Sequence, residues 1–273
     1  MARTVADCAL FRNVLAGPAT RDPASMRPAV RIPADLEGMQ RPARRLQHRA
    51  GGRPVDPEIR TRTRAAVEAL RAGGVLVAEV EIGWRLDEIK RALWAHFGRG
   101  DVAGILALDS RCPGVITPHT LAFARRGMAA DPTPDSAAGK NLEAVIQEQL
   151  DSVIARFNAF ALPTLGATAF AAGEDYVETQ LVVNGVALDH FSDASLTPAF
   201  NICSAHPVLS VPSNRASNGV PTGVQVVADP DDDVTAFRVA MAIEQTAGAG
   251  FGTGRPPVLA IEDAQAVSPE GPR

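Results

Sequence analysis

The sequence predicts a layered α/β protein with helices on both faces of a mixed sheet, and three observations carry that prediction. A well-capped helix from about residue 57 runs into Gly73-Gly74 and then into the apolar run 75–80. An amphipathic helix over about 141–157 leads into the short apolar run 159–162. Two more apolar runs, 208–211 and 223–227, precede a helix over about 233–246. Strands set between helices bury both faces of a sheet.

The elements follow in order. Thr4-Val5-Ala6-Asp7 reads as a capping box. Val5, Ala9 and Val14 continue that helix, and Gly17-Pro18 ends it. An irregular Pro-rich stretch fills 21–36. Asp56-Pro57-Glu58 supplies an N-cap, a proline at the first helical position and an acid at the positive end of the helix dipole. Ile59, Thr63, Ala66, Val67 and Leu70 share one face of this helix, and residues 75–80 read as a strand.

A helix over about 87–97 puts Ile89, Leu93 and His96 on one side. Residues 98–139, rich in Gly, Pro and Asp, are expected to be less regular. Leu142, Val145, Ile146, Leu150, Val153, Ile154 and Phe157 keep helical spacing. Ala159-Phe160-Ala161-Leu162, closed by Pro163-Thr164, fits a strand buried on both faces. Residues 165–196 read as loop with short helical or hairpin pieces. No repeat or flexible linker divides the chain, so a single domain over 1–273 is expected, with a loose tail from about 248.

Composition excludes several classes. The net charge is −4, and no basic stripe argues for nucleic acid. No apolar run reaches the ~18 residues that span a bilayer, and the first residues lack a signal-peptide core. A cytoplasmic protein is expected. Cys8, Cys112 and Cys203 are far apart and form no C-x-x-C pair, so they read as free thiols. His96, His119 and His190 have no Asp or Cys at ligand spacing, so neither metal nor cofactor is expected. The glycines at 250–254 follow a helix rather than a strand and do not form a phosphate loop. The acidic turn 229–233 reads as a helix cap.

The motifs near the C-terminal end are more specific. Thr197-Pro198-Ala199-Phe200-Asn201 is followed by Pro207-Val208-Leu209-Ser210-Val211-Pro212 and then by Gly219-Val220-Pro221-Thr222-Gly223-Val224-Gln225. With Phe160-Ala161-Leu162-Pro163-Thr164, Arg21-Asp22-Pro23 and Val55-Asp56-Pro57-Glu58 in the same order, the chain resembles the C-terminal half of the amidase signature family. The resemblance implies hydrolysis of carbon–nitrogen amide bonds and a partial amidase-signature fold. It also implies a nucleophilic serine activated through a second serine, held by a cis peptide, and a lysine. A hydroxyl needs that help because its own pKa is far too high to ionise at neutral pH.

No family catalytic residue maps onto this sequence. It contains no Gly-Ser dipeptide, and its two lysines, Lys90 and Lys140, lack the family context and read as solvated surface. Ser210 is expected to lie buried in a core strand and His206 in the loop before it. The resemblance places Thr197 and Asn201 near the acyl-binding cleft, as substrate-binding or loop-fixing residues. Members linked to tRNA carry an Asp three residues before this threonine. Ala194 stands there, which favours a general amidase.

The family's usual strand before the Asp-Pro-Glu helix is replaced by residues 41–49, with a proline and four arginines. Written in GC-rich codons and read one base later, that stretch encodes Gly-Leu-Arg-Val-Ala-Phe-Ser-Ile. A local, compensated frame change in a truncated gene is therefore expected, the alternative being an exposed basic loop in a genuine variant. The expectation for the chain alone is inactivity with exposed sheet edges, and hence marginal stability or self-association. The alternatives are a non-catalytic partner that completes a separate N-terminal half, or a nonfunctional gene fragment. A small-molecule amide is the expected substrate of the completed protein.

Overall fold

The computed structural model describes residues 1–22, 25, 29–36, 53–80, 82–130 and 136–246, with backbone alone at 97–101, 130, 136 and 137. Residues 41–49 and the tail beyond 246 lie outside these, and so do the frame-change reading, the 250–254 glycines and the loose-tail expectation.

A three-stranded antiparallel sheet forms the middle layer. Strand β1 (Ala159–Pro163) and β4 (Val208–Arg215) flank the central β5 (Pro221–Ala228). The sheet expected to be mixed is antiparallel throughout its described strands. Phe160 pairs with Val227, and Leu162 and Ser210 lie on either side of Gln225.

Alternation along the strands divides the core in two. Ala159, Ala161, Val211, Val224 and Val226 pack with α1 (Val5–Leu15), α2 (Pro57–Ala72) and α7 (Asp233–Thr246) through Ala66, Leu70, Phe237 and Ile243. Phe160, Leu162 and Val227 face the other way. They pack with α3 (Leu86–Arg111), α5 (Ser136–Ile154) and α6 (Pro198–Ile202) through Ile89, Leu150, Ile154 and Phe200. The helix–sheet–helix layering is therefore present, and β1 is buried along its whole length.

Local signals explain the helix starts. Thr4 Oγ1 accepts from Asp7 N at 3.0 Å, and Asp56 accepts from Glu58 N at 2.8 Å ahead of Pro57. The Arg12–Asp233 ion pair, 3.0 Å, and the Val5 N bond to Glu244 tie α1 to α7. Between β1 and α6, β2 (Val182–Val183) and β3 (Val186–Ala187) form a small hairpin, and Phe191–Ala194 makes one 3-10 turn.

Two expectations fail locally. Residues 75–80 form no strand: only Leu76 makes a bridge, while Val75 and Val77 join one core and Ala78 and Val80 the other. The apolar pattern there reflects burial between the two cores, without a paired neighbour among the described residues. Residues 98–139 are largely helical. Helix α3 runs on to Arg111, α4 spans Pro118–Ala130, and α5 begins at Ser136. Packing overrides the weak local propensity, because α4 and α5 both lie against α3. Gly127 and Gly139, inside the stretch expected to be less regular, are close-approach positions. A Cβ at Gly127 would fall 2.6 Å from Trp94 Cζ3, and one at Gly139 would overlap Ala95 Cβ.

Candidate functional site

Two clefts meet at α6. Pro198 sits in its first turn, and buried Ala199, Phe200 and Ile202 anchor it to the core, leaving Thr197 half-buried and Asn201 exposed. Phe200 packs edge-on against Trp84 with centroids 5.3 Å apart. The Thr197 carbonyl accepts from the amides of Phe200 and Asn201 at 3.0 and 3.3 Å, and its hydroxyl lies 3.0 Å from Ser195 Oγ.

The first cleft, of about 670 Å³, opens between α6 and the face of the sheet. Thr164, Thr197, Asn201, Ser210 and Gln225 line it. Thr164 Oγ1 and Ser210 Oγ are hydrogen-bonded at 2.9 Å. Gln225 is only 1% exposed, and its Nε2 donates to the carbonyls of Pro163 and Leu196 at 3.0 and 3.2 Å. Two acceptors fix the amide orientation, and Oε1 is left without a partner among the described residues.

The second cleft, of about 410 Å³, lies between α3, α4 and the loop before α6. Its body is apolar: Ile89, Leu93, Trp94, Val102, Ile105 and Phe123. The Trp94 and Phe123 rings are 4.7 Å apart. Its polar end holds Arg53, Lys90, Asp193, Ser195 and Asn201, so Asn201 belongs to both clefts. Lys90 Nζ lies 2.6 Å from Asp193 and 3.5 Å from Asp189, and Arg126 pairs with Asp189 at 3.3 Å. Arg53 is 9% exposed and donates to the Ser195 carbonyl. Burial pulls its pKa down to about 10, against the upward pull of Asp193.

The expected site residues are brought together: Thr197 and Asn201 share the wider cleft. Ser210 departs from expectation, being exposed on that cleft, where the sheet face beside α6 is open. Lys90 is no freely solvated surface residue but is ion-paired in the cavity wall, whereas Lys140 is exposed. His206 lies just before β4 as expected, but buried: its Nδ1 is 2.7 Å from Ala228 O and its Nε2 2.9 Å from Asp151. His190 accepts from Ser192 N on Nδ1, and burial, then the Arg126 charge, lowers its pKa. Among the described residues, no group of three or more His, Cys, Asp or Glu could hold a metal. The cavity itself, with Arg53 and Asp193 at its end, was not foreseen. Those residues are far apart in sequence, and no local pattern marks them.

A profile of the amidase family matches residues 1–237. The enantioselective amidase of Rhodococcus rhodochrous is 28% identical over 295 residues, covering 91% of this chain and 52% of that protein. A glutamyl-tRNA(Gln) amidotransferase subunit of Brevibacillus brevis is 32% identical over 109 residues, 40% of this chain and 20% of that one. A bacterial aryl acylamidase of the amidase signature family superposes with a TM-score of 0.73 at 25% identity, over 93% of this chain and 55% of that structure. The chain thus spans about half the length of the relatives that it matches along most of its own.

Proposed function

The chain belongs to the amidase family, and on that premise we propose that its residues supply the sheet, back wall and part of the substrate pocket of a site that hydrolyses carbon–nitrogen amide bonds. What supports the reading is the gathering of Thr197 and Asn201, with Thr164 and Ser210, around one open cleft. The Thr197 hydroxyl and the Asn201 carboxamide are donors and acceptors suited to hold a substrate amide in place. We assign both to substrate binding. The substrate is a small-molecule amide, and the protein is a general amidase acting in the cytoplasm as one domain. No helix among the described residues is long and apolar enough to cross a membrane.

In this reading the chain does not hydrolyse amides by itself. Acyl transfer needs a nucleophile with a base in reach. Ser204 and Ser210 are both exposed on the cleft; Ser210 bonds Thr164, while the nearby His206 is held by Ala228 and Asp151 and so is no free base for either. Lys90 is engaged by Asp193, and the sequence holds no Gly-Ser dipeptide. The nucleophile and its activating groups therefore come from residues outside this sequence, in the same or a second polypeptide. The exposed Leu10, Phe11, Val14 and Leu15 of α1 favour completion by such a segment, and self-association when it is lacking.

The test is hydrolysis of phenylacetamide and acetanilide by the chain alone and by the chain joined to the family's Gly-Ser-rich region. Background rates alone, and turnover after joining that falls at least tenfold in kcat/KM with Thr197→Val or Asn201→Ala, are expected. Robust turnover by the chain alone, or indifference to both substitutions, refutes the reading.

A further inference from the structure

Among the described residues the charges at the polar end of the apolar cavity do not balance: Arg53 and Lys90 line it with one described carboxylate, Asp193. Adding the residues that pair just outside, Asp189 and Arg126, keeps one positive charge in excess. Among the described residues the Arg53 guanidinium makes one hydrogen bond, to the Ser195 carbonyl. Asp193 is committed to Lys90 at 2.6 Å. A buried guanidinium with one N–H bonded among the described residues can take a further acceptor, and a carboxylate suits it best, through paired N–H···O bonds. Beyond the cations the wall is hydrocarbon and aromatic, with Trp94 and Phe123 packed together.

We propose that this cavity binds a small apolar ligand bearing a carboxylate, its head at Arg53 and Lys90 and its ring or branched chain against Trp94, Phe123 and Ile105. About 410 Å³ accommodates one aromatic ring and a short chain. The depressed Arg53 pKa agrees with this, since burial outweighs the compensation that Asp193 provides. Shared Asn201 sets the carboxylate end of the ligand beside the wider cleft. In the amidase reading, on which only this assignment of source rests, the ligand is either the acid released by hydrolysis or an amide carrying a second, intact carboxylate.

The experiment is equilibrium binding to the whole chain, followed by calorimetry and by quenching of tryptophan fluorescence. The probes are phenylacetate, N-(phenylacetyl)glycine, phenylacetamide, phenethylammonium and acetate. Phenylacetate or N-(phenylacetyl)glycine should bind at least tenfold tighter than phenylacetamide, with phenethylammonium and acetate weaker still. A lead for phenylacetate identifies the released acid, and a lead for N-(phenylacetyl)glycine identifies a substrate carboxylate. Arg53→Gln should abolish the preference over phenylacetamide. If that variant fails to fold, Lys90→Met serves in its place, and Ile105→Trp should remove binding of every aromatic probe. Equal or tighter binding of phenylacetamide or phenethylammonium overturns the proposal, as do a preference that survives Arg53→Gln and Lys90→Met, or no binding at millimolar probe. Binding is read without turnover. A carboxylate preference without amide hydrolysis after completion leaves the cavity assignment standing and removes the amidase reading; hydrolysis without the preference does the reverse.

Discussion

Replacing Gln225 by leucine tests what holds the cleft together. The side chain is 1% exposed and bridges β5 to two carbonyls, those of Pro163 and Leu196. Leucine keeps much of the volume but leaves both carbonyls without their donor, at about 2 kcal/mol each. It also removes Oε1, an acceptor already without a partner among the described residues, which returns about 2 kcal/mol. The net loss is about 2 kcal/mol, a sizeable fraction of a domain's stability. With a urea m-value of about 3 kcal/mol/M for a chain of this size, the unfolding midpoint should fall by about 0.7 M.

Gln225→Glu sharpens the test. An ionised carboxylate beside two carbonyls is unfavourable, so the folded variant must hold a proton and its carboxyl pKa rises. The unfolded chain then releases that proton first, and the variant loses stability as pH climbs above the ordinary carboxyl range. Urea titrations at about pH 4 and about pH 7 read this directly. A leucine variant within 0.5 kcal/mol of the parent (about the spread of neutral surface changes), or a glutamate variant indifferent to pH, would refute the reasoning.

Two further outcomes are expected. Gly166→Ala places a Cβ 2.7 Å from Pro54 O and 3.3 Å from Ala194 O, both backbone, at about 1–3 kcal/mol. Calorimetry should show a melting temperature several degrees lower. Glu244 accepts from Val5 N, and burial is the largest cause of its raised pKa. Because the unfolded carboxyl ionises first, this group costs the parent stability as pH rises from the ordinary carboxyl range through the raised value. Glu244→Gln retains an acceptor without the charge, so its urea midpoint should gain on the parent between about pH 4 and about pH 7.

What could be read from the sequence was set by nearby residues. Asp56-Pro57 and Thr4 cap their helices through bonds two or three residues away, and both starts are where their side chains demand. Strand β1 is announced by four apolar residues and a proline, and is buried as that run requires. Thr197 and Asn201 were found through a motif, and both line the cleft. Long-range effects were hidden. Helix α3 passes through Gly98 and Gly100 because α4 and α5 lie against it. Arg53 is bonded to a carbonyl 142 residues away, and Ser210 is exposed because it faces the open cleft beside α6. Neither fact leaves a local trace.

Gly127 carries a consequence for how ligand preference can change. The Trp94 indole rests where a side chain at 127 would stand, and that indole forms part of the cavity wall. Adding one methyl at 127 would displace that ring and so reshape the cavity wall, letting a residue outside the lining affect how large a molecule fits. Drift at this position would retune selectivity while every residue in contact with ligand stayed the same, and a library confined to the lining would never sample it.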